Sequence, residues 1–163
     1  MMIMTKVKKI MLANVPVLTK KAKISEAITL IGSKPHGCVI IVESKKPIGI
    51  ITELDIVREI VAKGSSVNKS LDTIMSSPVT TMLLDTTIEE ANKIIDTKKY
   101  RKYPVVDRGN LVGLVTENDI VNSIGYNIRF HRNLQNLVLI LFVLFEFFVV
   151  GYKILFNLFA GIP

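Results

Sequence analysis

Gly49 to Val57 reads GIITELDIV, and Gly113 to Val121 reads GLVTENDIV. The same nine-residue pattern thus occurs twice in one chain of 163 residues, 64 positions apart. Shifting the sequence by that interval aligns Ile10–Ile60 with Ile74–Ile124 without a gap. Ile10-Met11 falls on Ile74-Met75, Ile24, Glu26 and Ala27 on Ile88, Glu90 and Ala91, and Val42 on Val106. Roughly fifteen identities over about fifty positions mark an internal duplication.

Each copy alternates strand and helix signals in the order β-α-β-β-α. In the first, NVPVLT reads as a short strand, and Ile24, Ala27, Ile28 and Ile31 recur at helical spacing. CVIIV and IGIIT are β-rich runs separated by the turn-like SKKP. A second helix follows Thr52 and stops at Gly64, a residue suited to the position just past a helix end. The second copy repeats this with PVTTM, a helix after Thr87, PVVD, LVGLVT and a helix ending near Gly125. Neither copy is large enough for a secure core of its own, so the two are expected to pack on each other.

Thr-x-x-Asp at the start of a helix has a purely local explanation. A threonine N-cap with an acid three residues on resembles a capping box, and Thr87–Glu90 repeats that pattern with no ligand role in view. The rest of the motif suggests more. Asp is a shorter partner than the usual Glu or Gln, and a glycine stands three residues before the threonine in both copies, where a bare backbone permits close approach. A carboxylate beside exposed helix N–H groups can accept hydrogen bonds from ribose hydroxyls, and the N–H groups favour anions.

G-h-h-T-x-x-D repeated after a β-α-β-β-α unit resembles the tandem CBS domain pair, or Bateman module, named after cystathionine β-synthase. The resemblance spans about residues 5 to 125 and is carried by the IM near each start, PVTTM, YPVVD and both G-x-x-T-x-x-D motifs. It implies an α+β fold of two pseudo-symmetric units, 5–64 and 65–125, packed strand to strand with two clefts between them. It also implies an adenosyl ligand: AMP, ADP, ATP or S-adenosylmethionine. By position, Asp55 and Asp119 would hold ribose hydroxyls, and Thr52 and Thr116 would contact ribose or phosphate while capping their helices. Tyr100, Arg101 and Lys102, with the matching His36 to Cys38, would line the base or phosphate. Val15 and Val17, with Val79 and Thr81, would wall the adenine. The copies differ where charge matters, because Arg101 and Lys102 face Gly37 and Cys38 in the alignment, so two sites would bind unequally.

Other chemistries find little support. One cysteine, Cys38, excludes an internal disulfide framework and a thiolate metal cluster, and His36 and His131 lie far apart. No Walker-type loop and no nucleophile beside a plausible base occur, so a binding module rather than an enzyme is expected, with no required cofactor and no metal. The net charge of +7 is concentrated in Lys6, Lys8, Lys9, Lys20, Lys21 and Lys23 and in Arg129, His131 and Arg132. It is compatible with anionic lipid or nucleotide phosphate, but no interleaved basic and aromatic surface suggests nucleic acid. The opening MMIMTKVKKIM lacks the apolar run and cleavage site of a signal peptide.

Beyond a basic linker, 126–136, the chain reads LVLILFVLFEFFVVGYKILFNLFA over 137–160, apolar except for Glu146, Gly151, Lys153 and Asn157. As a helix it would be roughly 35 Å long, enough to cross a hydrocarbon core. About a dozen Leu, Ile, Phe and Val contribute roughly −4 to −6 kcal/mol to insertion against about +3 for one acid. Arg129 and Arg132 would keep the preceding domains cytoplasmic, giving a single-pass tail anchor in the cell membrane. A long helix buried between the protomers of a cytoplasmic homodimer is the rival reading. The sequence thus suggests a membrane-tethered adenosyl sensor, homodimeric through its CBS pairs and acting on a protein partner; the alternative is a pair that only dimerises or docks.

Overall fold

The computed structural model describes residues 5–33, 36–98 and 100–160, with the backbone alone described at 126–131 and 154–160. The opening methionines, the side chains of Arg129 and His131, and that of Asn157 therefore lie outside the described residues.

The described residues up to Ser123 form one compact unit containing two three-stranded sheets. In the first sheet β1 (Val17–Leu18) runs parallel to β2 (Cys38–Glu43), which pairs antiparallel with β3 (Lys46–Thr52). In the second, β4 (Met82–Leu83), β5 (Lys102–Asp107) and β6 (Asn110–Thr116) repeat the arrangement. The register repeats too: Ile41 lies opposite Gly49 and Val105 opposite Gly113, with an irregularity in the next step of both ladders. Two-residue turns close both hairpins, Ser44-Lys45 and Arg108-Gly109, each with positive φ at both positions, the geometry that matches strand twist. The duplicated α+β architecture read from the sequence is present, with first strands shorter than NVPVLT and PVTTM suggested.

Helices α1 (Ile24–Ser33) and α3 (Ile88–Lys98) occupy equivalent places and bury equivalent stripes, Ile24, Ala27 and Ile31 in one and Ile88, Ala91 and Ile95 in the other. The i, i+3, i+7 spacing puts those residues on one face. A second shared core joins the copies, because Cys38 and Ile40 from β2 pack with Leu114 from β6.

The lead-in segments are exchanged. The opening segment of the first copy pairs with the second copy: the amide of Val7 donates to the carbonyl of Thr86, and Leu12 exchanges both backbone bonds with Leu114 of β6. The opening segment of the second copy pairs with the first: Ser76 exchanges both bonds with Ile50, and Leu71 joins the core of α1, β2 and β3. Lys6 and Lys8 add exposed ion pairs to Asp85, so part of the N-terminal basic charge is neutralised locally. Each copy is thus laced to the other by its own leader.

Helix α2 (Glu53–Ile56) continues through a π-helical stretch, Val57–Ala62, and the chain leaves it at Gly64, whose φ of +65° suits glycine. The corresponding helix of the second copy does not end near Gly125 as the repeat suggested. It runs as α4 from Glu117 to Ala160. A single interior glycine costs about 1 kcal/mol, and the following residues contain no proline to break the helix, so Gly125 alone does not stop it. Residues 126–136 are therefore helical.

The described residues from Ile124 onward form the second unit. Within it, Arg132–Lys153 is 22 residues long with mean hydropathy 2.3 and meets the length and composition needed to cross a membrane. Leu137 to Phe148 are all exposed in the single chain, including Phe147 at 74%.

A pair of clefts built from both copies

Each motif threonine caps its helix, and each motif aspartate closes a reciprocal box. Asp55 Oδ2 accepts from the Thr52 amide at 2.8 Å and from Thr52 Oγ1 at 2.7 Å. Asp119 Oδ2 accepts from the Thr116 amide at 2.9 Å and from Thr116 Oγ1 at 2.7 Å. The local capping explanation is therefore real, but it uses one oxygen of each carboxylate. Among the described residues no hydrogen bond reaches either Oδ1. Both aspartates are half-buried, which strengthens any bond a ligand hydroxyl makes there.

The motif glycines have a different role from the ligand approach suggested by sequence. A Cβ on Gly49 would stand 2.8 Å from Met75 Sδ and 3.2 Å from the Ser76 carbonyl. A Cβ on Gly113 would stand 2.7 Å from the Leu12 carbonyl and 2.8 Å from Met11 Sδ. The bare backbone admits the exchanged leader of the other copy.

Two clefts result. The larger, about 880 Å³, brings Thr52, Asp55 and Glu53 together with Met75, Ser76, Val79 and Thr80 from the other leader, and with Tyr100, Arg101 and Lys102. The smaller, about 740 Å³, brings Thr116, Glu117 and Asp119 together with Leu12, His36, Gly37, Glu53, Arg101 and Lys102. The leader exchange pairs each motif with the strand start of the opposite copy. Tyr100 to Lys102 thus meet Asp55 most fully, although they belong to the copy of Asp119. Val15, Val17 and Thr81 line neither cleft. Val15 packs on the core of Cys38, Ile40 and Leu114, and Val17 in β1 is 45% exposed.

At the strand starts the copies diverge. The amides of Glu53 and Glu117 donate to the carbonyls of Gly37 and Arg101, at 3.3 and 2.9 Å, a symmetric pair of bonds. Lys102 Nζ crosses to the first copy and donates to the same Gly37 carbonyl at 2.8 Å. Gly37 has φ +56°, a conformation that disfavours any side chain, and a Cβ there would fall 2.8 Å from Glu53 Oε1, so an arginine like Arg101 would be strained at this place and would have to displace the Glu53 carboxylate. Cys38 is fully buried, and desolvation pushes its thiol up to about 11, with Lys102 acting in the opposite sense. Buried Tyr103 meets Tyr100 edge-on at 6.3 Å and supports it at the cleft mouth.

Sequence reasoning missed Glu53, Glu117, Met75 and Ser76 as lining residues. The glutamates follow the motif threonines directly, so their conservation of place in both copies was a readable signal. The leader residues were not readable, because their placement depends on non-local pairing. Among the described residues no group of three or more His, Cys, Asp or Glu is arranged to hold a metal.

A family model for the CBS domain matches the chain twice, at residues 7–62 and 71–126. An uncharacterised protein of Methanopyrus kandleri is 43% identical over 88 residues, covering 52% of this chain and 45% of that protein. The CBS domain-containing protein YhcV of Bacillus subtilis is 27% identical over 117 residues, covering 72% of this chain and 84% of its own length. The solved CBS domain pair of protein MJ0100, in complex with 5′-methylthioadenosine and S-adenosylmethionine, matches with a TM-score of 0.67 at 27% identity, covering 75% of this chain and 97% of that one. This chain spans about half the length of the first curated relatives it matches. With two matched copies, two equivalent sheets and motif carboxylates at both clefts, the chain belongs to the CBS-domain family and carries a tandem CBS pair.

Proposed function

We propose that this chain is a regulatory module that binds an adenosyl ligand between its CBS domains, is held at the membrane by its C-terminal helix, and modulates a protein partner. The observation that carries the reading is the state of the two motif carboxylates. Each is fixed by its own helix cap through Oδ2, and each lines a cleft with Oδ1 uncommitted among the described residues. A preorganised acceptor of this kind suits a ribose diol. Val79 and Tyr100 offer apolar and aromatic surface to a base, and Arg101 offers charge to phosphate. The related CBS pair in complex with two adenosyl compounds supports the ligand class.

The ligand acts by binding, and the chemistry belongs to the partner. Leu54, Val57 and Val61, on one helical face, and Val121 at the equivalent of Val57 are all exposed, which supports pairing of two CBS pairs through this surface. The membrane tether rests on the length and hydropathy of Arg132–Lys153.

Isothermal titration of the full chain in detergent with AMP, ADP, ATP, S-adenosylmethionine and 5′-methylthioadenosine tests the reading. At least one is expected to bind saturably. A folded chain that binds none of them would leave the CBS pair as a docking module.

A further inference from the structure

The two clefts share one wall. Glu53, Arg101 and Lys102 line both. In a fully symmetric pair each cleft would own a basic strand start. Here Gly37 and Cys38 occupy the places equivalent to Arg101 and Lys102, and the φ of +56° at Gly37 disfavours an arginine there.

We infer that the chain carries a single phosphate clamp for two adenosyl clefts, so that it holds one adenine nucleotide bearing a polyphosphate but two adenosyl ligands whose tails carry no negative charge. The inference rests on the adenosyl reading above and specifies the ligand charge each cleft accepts. Around the Asp55 cleft, Arg101 and Lys102 oppose Glu53 and Asp55. Around the Asp119 cleft the same two cations oppose Glu53, Glu117 and Asp119. A polyphosphate tail in the larger cleft draws both cations toward itself. Lys102 then exchanges the neutral Gly37 carbonyl for an anionic phosphate oxygen, a stronger bond because both partners carry charge. A second polyphosphate in the smaller cleft would face three carboxylates with neither Arg101 nor Lys102 left to it, and like charges repel more strongly in a partly enclosed cleft than in bulk water. The sites are therefore coupled negatively for anionic ligands and nearly independent for neutral ones.

Stoichiometry tests this directly. Full chain in detergent is titrated with ADP and, separately, with the neutral 5′-methylthioadenosine. The expected result is one ADP and two methylthioadenosines per chain at saturation. Arg101 is exposed, so Arg101→Gln leaves the core intact, and it should narrow the ratio of ADP to methylthioadenosine affinity by about tenfold. Two ADP sites of equal affinity, one methylthioadenosine per chain, methylthioadenosine binding without ADP, or an unchanged ratio in Arg101→Gln would each overturn the shared clamp while leaving adenosyl binding standing. Binding of neither ligand would overturn the adenosyl reading and the clamp together.

Discussion

Met75 Sδ lies 2.8 Å from the point where a Cβ on Gly49 would stand, and Met11 Sδ stands in the same relation to Gly113 at the same distance. Those contacts join each copy's leader to the other copy's sheet, and they explain why the motif begins with glycine. The two sites are not equally tolerant. At Gly49 the nearest obstacle is a flexible thioether, whereas at Gly113 it is the backbone carbonyl of Leu12 at 2.7 Å, itself bonded to Leu114.

Gly113→Ala is therefore expected to destabilise the CBS pair by about 1–3 kcal/mol, the usual cost of overpacking, and Gly49→Ala by less. Urea unfolding followed by circular dichroism measures both. Equal losses, or a larger loss at Gly49, would contradict the leader geometry.

The Cys38 thiol, raised to about 11 by burial, should resist modification in the folded protein. An aromatic disulfide reagent at pH 8 is expected to react only on unfolding, and fast reaction in native buffer would contradict the burial. The shift also has a sign for stability. The folded thiol holds its proton above the pH at which the unfolded thiol releases it, near its ordinary 9.0. The stabilisation is complete below that value and is lost as pH rises from about 9 to about 11. Wild type should therefore lose on the order of 2–3 kcal/mol over that window relative to Cys38→Ala.

Chain truncated after Asn136 should be released into buffer as a folded CBS pair, while the full chain should stay with membranes through high-salt and alkaline washes. Apolar burial resists both treatments, whereas attraction between lysines and lipid headgroups is screened by salt. Full chain removed by salt alone would reject the span.

Much of this was legible in the sequence because duplication reports on itself. Ile24, Ala27 and Ile31, with their partners Ile88, Ala91 and Ile95, encode one buried helical stripe twice, and the hairpins recur at constant spacing. The caps at Thr52 and Thr116 were legible for the same reason: they are local. What escaped was non-local. Nothing near Leu12 announces that it pairs with Leu114, and from that exchange follows the meeting of Tyr100 with Asp55 rather than Asp119. The family resemblance puts Val15, Val17, Val79 and Thr81 together on an adenine wall. The structure places only Val79 on a cleft, since Val15 is drawn into the core shared by the sheets. Charge marks Lys102 as a phosphate partner, but its bond to Gly37 joins the two copies and leaves no trace in the local sequence.

The clefts should also respond unequally to loss of their carboxylates. For AMP, Asp55→Ala should cost more affinity than Asp119→Ala, because the Asp55 cleft combines Val79, Tyr100 and Arg101 with fewer acids. Each substitution also removes half of a capping box, at about 1 kcal/mol of stability, so thermal melts accompany the titrations. A greater loss at Asp119 would reverse the order of the sites.

The most direct test of ribose recognition uses AMP and its 2′,3′-dideoxy analogue on the full chain and on the Asp55→Ala, Asp119→Ala double variant. In wild type, removing the hydroxyls should cost about 1.5–3 kcal/mol, or roughly tenfold to a hundredfold in affinity. In the folded double variant, which has no carboxylates left to accept those hydroxyls, AMP and the analogue should bind alike. A wild-type chain that binds both equally, or a double variant that still separates them, would contradict the assignment of Asp55 and Asp119 to the ribose.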